Sequence, residues 1–183
     1  PGPQTAVIRG LDKESVLTDK GVVPHSGIIA KVEKSPEAKR TVIFYAHYDG
    51  QPVDPSGWTG GGPFEPLLRT DSMRASGKEI PFPAEGTAYQ DNWRIYARSA
   101  SDDKSPIVAI LAALDALHAQ KIPLAVNVKL VLDGEEENGS PNLERTLLAH
   151  RELLGGDVLI SADGPVHPSG RALVAFGNRG ILG

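Results

Sequence analysis

Three carboxylates, Glu135, Glu136 and Glu137, stand side by side within the run Leu132-Asp133-Gly134-Glu135-Glu136-Glu137-Asn138-Gly139-Ser140. Like charges this close repel, and once desolvated they take up protons unless cations or hydrogen-bond donors offset them. A solvated acidic turn before a helix is the plain alternative. Related groups recur elsewhere: His47 with Asp49 two residues on, Asp102 beside Asp103, and Asp163. A neutral imidazole becomes a metal ligand when a partner on its other ring nitrogen fixes the tautomer, and a carboxylate is the usual partner. On an extended backbone the His-x-Asp spacing places both side chains on one face. Oxygens converging with one imidazole and no thiolate suit Zn²⁺, Mn²⁺ or Co²⁺, and a carboxylate able to bridge suits two such ions ~3.5–4 Å apart.

These groups need elements that bring them together. From Leu124 to Leu132, Val126, Val128, Leu130 and Leu132 alternate with Ala125, Asn127, Lys129 and Val131, the period of a strand. The glutamates therefore follow a strand's C-terminal end, the rim where ligands bind in open α/β sheets. Ser26–Glu33 and Thr41–Tyr45 read as two further strands, expected to pair as a hairpin across the turn at 35–39, and the second runs straight into His47. The opening to Val23 is expected to be irregular with at most one short strand. Residues about 52–92 are rich in Pro and Gly without a sustained period; a loop of that length forms a rim of the site with short strands of its own or a surface excursion. Within it Trp58 and Phe64 line a pocket or anchor the loop. Trp93–Ala97 is a short strand. Ser105 and Pro106 then suit the cap and first turn of a helix to about Gln120, with Ile107, Ile110, Leu111, Leu114 and Leu117 inward. Asp102 and Asp103 lie on the turn into that helix, where acids also complement its dipole. Ser140-Pro141 repeats the start signal for a helix to Leu154, with Leu143, Leu147, Leu148 and Leu154 inward and Gly155-Gly156 as its stop. Asp157–Ser161 and Arg171–Phe176 complete the strands. The fold class is α/β, a mixed, mostly parallel sheet with helices on both faces.

Composition narrows the function. A chain of 183 residues, 40% hydrophobic, is one soluble domain with a real core. Its net charge of −4 and lack of a basic stripe argue against nucleic acid, and no apolar run of ~18 residues could span a membrane. Cysteine is absent, so metal chemistry falls to His and carboxylates, and the redox compartment stays open. The start at Pro1-Gly2-Pro3, without Met or an apolar signal segment, is expected of an excerpt or of a chain whose leader was removed; the compartment, cytoplasmic or exported, is undetermined.

The runs Ala46-His47-Tyr48-Asp49, Arg98-Ser99-Ala100-Ser101-Asp102-Asp103-Lys104, Gly134-Glu135-Glu136-Glu137-Asn138-Gly139-Ser140 and Ser161-Ala162-Asp163-Gly164-Pro165 occur in an order that resembles the M20 family of dinuclear metallopeptidases. That family includes dipeptidases, carboxypeptidases and amino-acid deacylases. The tail Phe176-Gly177-Asn178-Arg179-Gly180 looks like the family segment leading into a lid domain, most like the dipeptidase branch. The resemblance implies two divalent ions, zinc first, with manganese or cobalt as alternatives. His47 and Asp163 would hold one, Glu137 the other, and Asp102 would bridge them across a cis bond to Asp103. Asp49 would orient His47. Glu136 would be the general base, taking a proton from the attacking water and passing it to the leaving amine. Asp102, Glu136, Glu137 and Asp163 together balance the charge of two divalent ions.

The resemblance also implies that residues 1–183 are the N-terminal part of a catalytic domain. The lid, a final His ligand and a homodimer contact through the lid would lie beyond Gly183, and the piece alone would be inactive. His25, His118, His150 and His167 are expected to be structural or surface residues. Two departures stand out: Ala97-Arg98-Ser99 replaces the usual Gly-Arg-Gly, tolerable where the backbone does not need positive φ, and Ser105 replaces a common Gly. The substrate is a dipeptide or short peptide; an N-acyl amino acid and a non-catalytic metal-binding module are the alternatives. A glycosidase is disfavoured because Glu136 and Glu137 are adjacent and supply no second wall of a cleft.

Overall fold

The computed structural model describes residues 7–10, 27–32, 38–58, 61–165, 167, 169, 171 and 173–177. Its main sheet contains β1 (Val7–Gly10), β2 (Gly27–Val32), β3 (Thr41–His47), β7 (Asn127–Asp133) and β8 (Val158–Ser161), in the order β1-β2-β7-β3-β8. A smaller sheet, β5-β4-β6, is made by β4 (Leu67–Arg69), β5 (Glu79–Ile80) and β6 (Arg94–Tyr96). The long helix α1 (Lys104–Ala119) precedes β7, and the short α2 (Leu143–Ala149) precedes β8. Strand β3 pairs in parallel with β7 on one side and β8 on the other, whereas β2 is antiparallel to both β7 and β1. Hence β1, β7, β3 and β8 point one way and β2 opposes them.

The alternation read in the sequence sets the two faces of β7. Val128 and Leu130 are buried on one, packed with Phe44 of β3 and with Ile110 and Leu114 of α1. On the other, Val131 and Ile43 form a second cluster with Tyr45, Leu147, Leu153 and Leu154. Helical cover on both faces is what a strand with apolar residues on both sides requires. Lys129 shares the α2 face and reaches past the apolar cluster. Its Nζ donates to the carbonyls of Leu153 at 2.5 Å and Gly155 at 2.6 Å, the first at the end of the one-turn 3₁₀ helix Arg151–Leu153 and the second just past it.

Several expectations are corrected. The strands at 26–33 and 41–45 do not pair as a hairpin, because β7 lies between β2 and β3. The first helix begins at Lys104 rather than after a Ser105 cap; Ser105 Oγ donates back to the Ser101 carbonyl at 2.8 Å. The second begins at Leu143, not Pro141, because the Ser140 hydroxyl is engaged elsewhere, and it breaks at His150 before the 3₁₀ turn. Leu111 and Leu148 are exposed, on the outer edges of their helical stripes. Arg171 and Leu173–Phe176 form no strand: Phe176 is 98% exposed, and no described strand lies alongside to supply the ladder bonds a strand needs. The short strand of the opening is β1; the turn at 35–37 lies outside the described residues.

The segment between β3 and α1 carries the small sheet, anchored by the buried Leu68. Trp58 anchors the loop: the Arg98 guanidinium sits 5.7 Å from its ring centroid, and the Arg98 N–H donates to the Pro63 carbonyl at 2.7 Å. Phe64 is exposed. Ser99 adopts φ 62, the left-handed conformation that glycine takes without penalty. Its hydroxyl is packed so closely on Gly50 that a Cβ there would lie 1.8 Å from Ser99 Oγ and 3.1 Å from Ser99 Cβ. Gly50 and Ser99 thus lock the loop after β3 to the turn carrying Asp102.

That contact predicts coupling. Gly50→Ala should cost ~1–3 kcal/mol by overpacking, and Ser99→Gly, which removes the obstacle and suits the backbone, should restore most of it. Denaturant unfolding of the two single variants and the double variant measures this; effects that add to within ~0.5 kcal/mol would contradict the contact.

Candidate metal centre

Because β3, β7 and β8 are parallel, their C-terminal ends share one edge, and the candidate site forms there. His47 ends β3 opposite Asp133 of β7. Asp49 lies two residues beyond, and Asp163 follows β8. Glu136 and Glu137 ride on a one-turn 3₁₀ helix, Glu136–Asn138, just after β7. Asp102 and Asp103 arrive from the turn before α1, joined by a cis peptide bond as the resemblance implies.

His47 is the centre, 1% exposed. Its Nδ1 is 3.2 Å from Asp49 Oδ1 and its Nε2 is 3.0 Å from Asp102 Oδ1. The same Nε2 lies 3.8 Å from Glu136 Oε2 and 3.9 Å from Asp163 Oδ2. Backbone amides hold the carboxylates from behind. The His47 N–H donates to Asp103 Oδ2 at 3.1 Å, and the Glu137 N–H donates to Asp49 Oδ2 at 3.1 Å. The Gln51 side-chain amide donates to Glu137 Oε2. Glu135, although adjacent in sequence, turns away: its two oxygens accept from Asn142 Nδ2 at 3.0 Å each.

The charges strain against one another. Burial disfavours the charged form of His47, yet Asp103, Glu136, Asp163 and Asp49 outweigh it and hold the imidazole above its ordinary pKa. Burial pushes Asp103 up, partly countered by the His47 N–H, with Asp163 pushing further. Glu136 is likewise raised by burial, with His47 opposing and Asp163, Glu137 and Asp49 adding repulsion. Burial first, then the Asp133 charge, drives the Tyr45 hydroxyl well above its usual range, so it remains a donor.

This donor set fits a divalent cation. Ligand-type atoms of His47, Asp102 and Glu137 lie within 4.8 Å of one another, as do those of His47, Asp103 and Asp163. One imidazole with several carboxylates suits borderline ions such as zinc. In the second group Asp103 Oδ2 already accepts the His47 N–H, so Asp103 serves to hold that backbone. The structure thus brings together all the site residues expected from the sequence, His47, Asp49, Asp102, Glu136, Glu137 and Asp163.

The model of peptidase family M20/M25/M40 matches residues 43–174, a span containing every one of these residues. The chain belongs to this family. Human Beta-Ala-His dipeptidase is 30% identical over 167 residues, covering 90% of this chain and 28% of that protein. Cys-Gly metallodipeptidase dug1 of Schizosaccharomyces pombe is 28% identical over 87% of this chain and 29% of its own length. Among solved structures, the M20 family metallo-carboxypeptidase Sso-CP2 from Sulfolobus solfataricus is similar with a TM-score of 0.58 and 36% identity, over 80% of this chain and 28% of that one. The chain therefore spans under a third of the length of these relatives.

Other residues of this M20 chain were not singled out by sequence reasoning. Asp103 was noted only as a neighbour of Asp102, and its burial under the His47 N–H has no local signal. Gln51, through Glu137, and Asp133, through Tyr45, likewise act through contacts between distant segments. The remaining histidines stay apart: His118 is in α1, His150 lies between α2 and the 3₁₀ turn, and the His167 ring pairs with Ser169 Oγ at 2.7 Å. His25 lies outside the described residues. Among the described residues, no helix is long and apolar enough to cross a membrane.

Relief of this repulsion should appear as stability. Zinc at ~100 times its Kd should stabilise the folded protein by ~2.7 kcal/mol, measured as a rise in melting temperature that a chelator reverses. His47→Ala should abolish the rise; an unchanged zinc response in that variant would contradict the centre.

Proposed function

We propose that residues 1–183 are the N-terminal part of the catalytic domain of a metal-dependent hydrolase that cleaves the amide bond of dipeptides or other short peptides. The observation that carries this reading is the buried His47, with a carboxylate on each ring nitrogen and Glu136 and Asp163 within 3.9 Å of Nε2. His47, Asp102 and Asp163 would hold one zinc ion and Asp102 and Glu137 a second, with manganese or cobalt as substitutes. Such ions supply Lewis acidity, polarising the scissile carbonyl and making the attacking water easier to deprotonate.

The chain's own residues do the rest. With a metal held at Nε2, Asp49 would accept the proton on His47 Nδ1 and so orient the ring, and through the Glu137 N–H it ties two ligand-bearing segments together. Glu136, placed beside the cluster and held by none of the hydrogen bonds that engage Glu135 and Glu137, is free to take a proton from water and deliver it to the leaving amine. Relatives named for Beta-Ala-His and Cys-Gly substrates favour dipeptides over N-acyl amino acids. On this reading a lid domain, a further His ligand and a homodimer contact belong to the rest of a longer protein, and residues 1–183 alone do not turn over peptides.

In the complete enzyme, Glu136→Gln should leave metal content nearly unchanged and lower kcat by ~10²–10⁴. Elemental analysis alongside dipeptide hydrolysis decides it: loss of metal would make Glu136 a ligand instead of a base. Asp49→Asn should weaken metal affinity or activity by ~10–100-fold, and wild-type behaviour would remove Asp49 from the machinery.

A further inference from the structure

Asp133 ends β7 fully buried, and its side-chain hydrogen bonds run to Glu135, Ser140 and Tyr45 rather than to His47. A carboxylate so placed costs several kcal/mol unless donors meet it, and three do. Its Oδ1 accepts the Glu135 N–H at 2.9 Å. Its Oδ2 accepts the Ser140 hydroxyl at 2.6 Å and the Tyr45 hydroxyl at 3.2 Å. Glu135 and Ser140 are the two ends of the turn that carries Glu136 and Glu137, and Tyr45 lies on β3 two residues before His47. The Asp133 carbonyl also accepts the Tyr48 N–H at 2.9 Å, on the loop that carries Asp49.

We infer that Asp133 is a positioning residue that clamps both ends of the 134–140 turn and fixes Glu136 and Glu137 against His47. An apolar residue at this buried strand position would be cheaper, so the carboxylate serves the turn. The turn's internal bonds, Gly139 N–H to the Glu136 carbonyl at 2.8 Å and Ser140 N–H to the Glu135 carbonyl at 2.9 Å, shape it but do not attach it to the sheet. Asp133 makes that attachment through both oxygens. What the glutamates then do rests on the metallohydrolase reading; where they are held does not.

The test uses the complete protein and cobalt(II), whose visible absorption reports its coordination. Asp133→Asn keeps an oxygen for the Glu135 N–H but loses the acceptor shared by Ser140 and Tyr45. Ser140→Gly suits that residue's φ of 50 and removes the hydroxyl together with its Cβ. Both variants should bind cobalt ~10–100-fold more weakly, with an altered spectrum, and lower kcat with KM changed by less than ~2-fold. Ser140→Gly should do so with a smaller fall in melting temperature than Asp133→Asn, because glycine relieves the positive φ and two donors still meet the carboxylate, which carries the test even where Asp133→Asn folds poorly. Variants that melt earlier yet keep the wild-type cobalt spectrum and kcat would make Asp133 a fold residue only. A folded wild-type protein that takes up no cobalt would overturn the metallohydrolase reading alone; the positioning role is then read from amide hydrogen exchange across 134–140, which Ser140→Gly should speed and which, if unchanged, would overturn it.

Discussion

Negative charge gathered around one buried imidazole is the constraint the rest of this structure serves. Asp49, Asp102, Glu136 and Asp163 all face His47, and protein groups offset only part of their repulsion. Backbone amides contribute where they can. The His47 N–H meets Asp103, the Glu137 N–H meets Asp49, and the Glu135 N–H meets Asp133. Each spends a hydrogen-bond donor on a carboxylate that would otherwise repel its neighbours. The remaining imbalance is what makes a bound cation the natural complement of the cluster.

The scaffold supplies rigidity by ordinary means. Parallel strands bring their ends to one edge, and an apolar cluster on each face, with α1 against one and α2 against the other, keeps those ends in register. Local rules yield where the site needs residues for something else. Asp103 stands at the start of α1 without capping it, its carboxylate turned to the His47 N–H. Ser140 sits at a positive φ with its hydroxyl on Asp133 rather than on a helix end. Such local inconsistencies are expected to concentrate at functional sites.

Much of the arrangement was legible in the sequence for physical reasons. The alternation through 126–132 marks β7 and both its faces, and the 3.6-residue spacing of Ile107, Ile110, Leu114 and Leu117 marks the inner stripe of α1. The titratable groups follow strand or turn signals closely enough to be placed at one edge. Strand neighbours were less legible, since the insertion of β7 between β2 and β3 is decided by packing across more than eighty residues of chain. Start signals at Ser105 and Ser140 misled because each hydroxyl donates away from the helix end, Ser105 to the Ser101 carbonyl and Ser140 to the Asp133 carboxylate. Asp133 illustrates the limit most clearly: its partner Tyr45, on another strand, meets it only once the sheet is formed.

The central claim, that the ends of β3, β7 and β8 with the turn before α1 build a divalent-metal centre on His47, is tested most directly by diffraction. Crystals of the complete protein grown with zinc, measured at the zinc absorption edge, should show an anomalous peak between His47 Nε2 and the carboxylates of Asp102 and Asp163. A second peak is expected where Asp102 faces Glu137. Ordered zinc found only elsewhere on the molecule, with this cluster empty, would contradict the account.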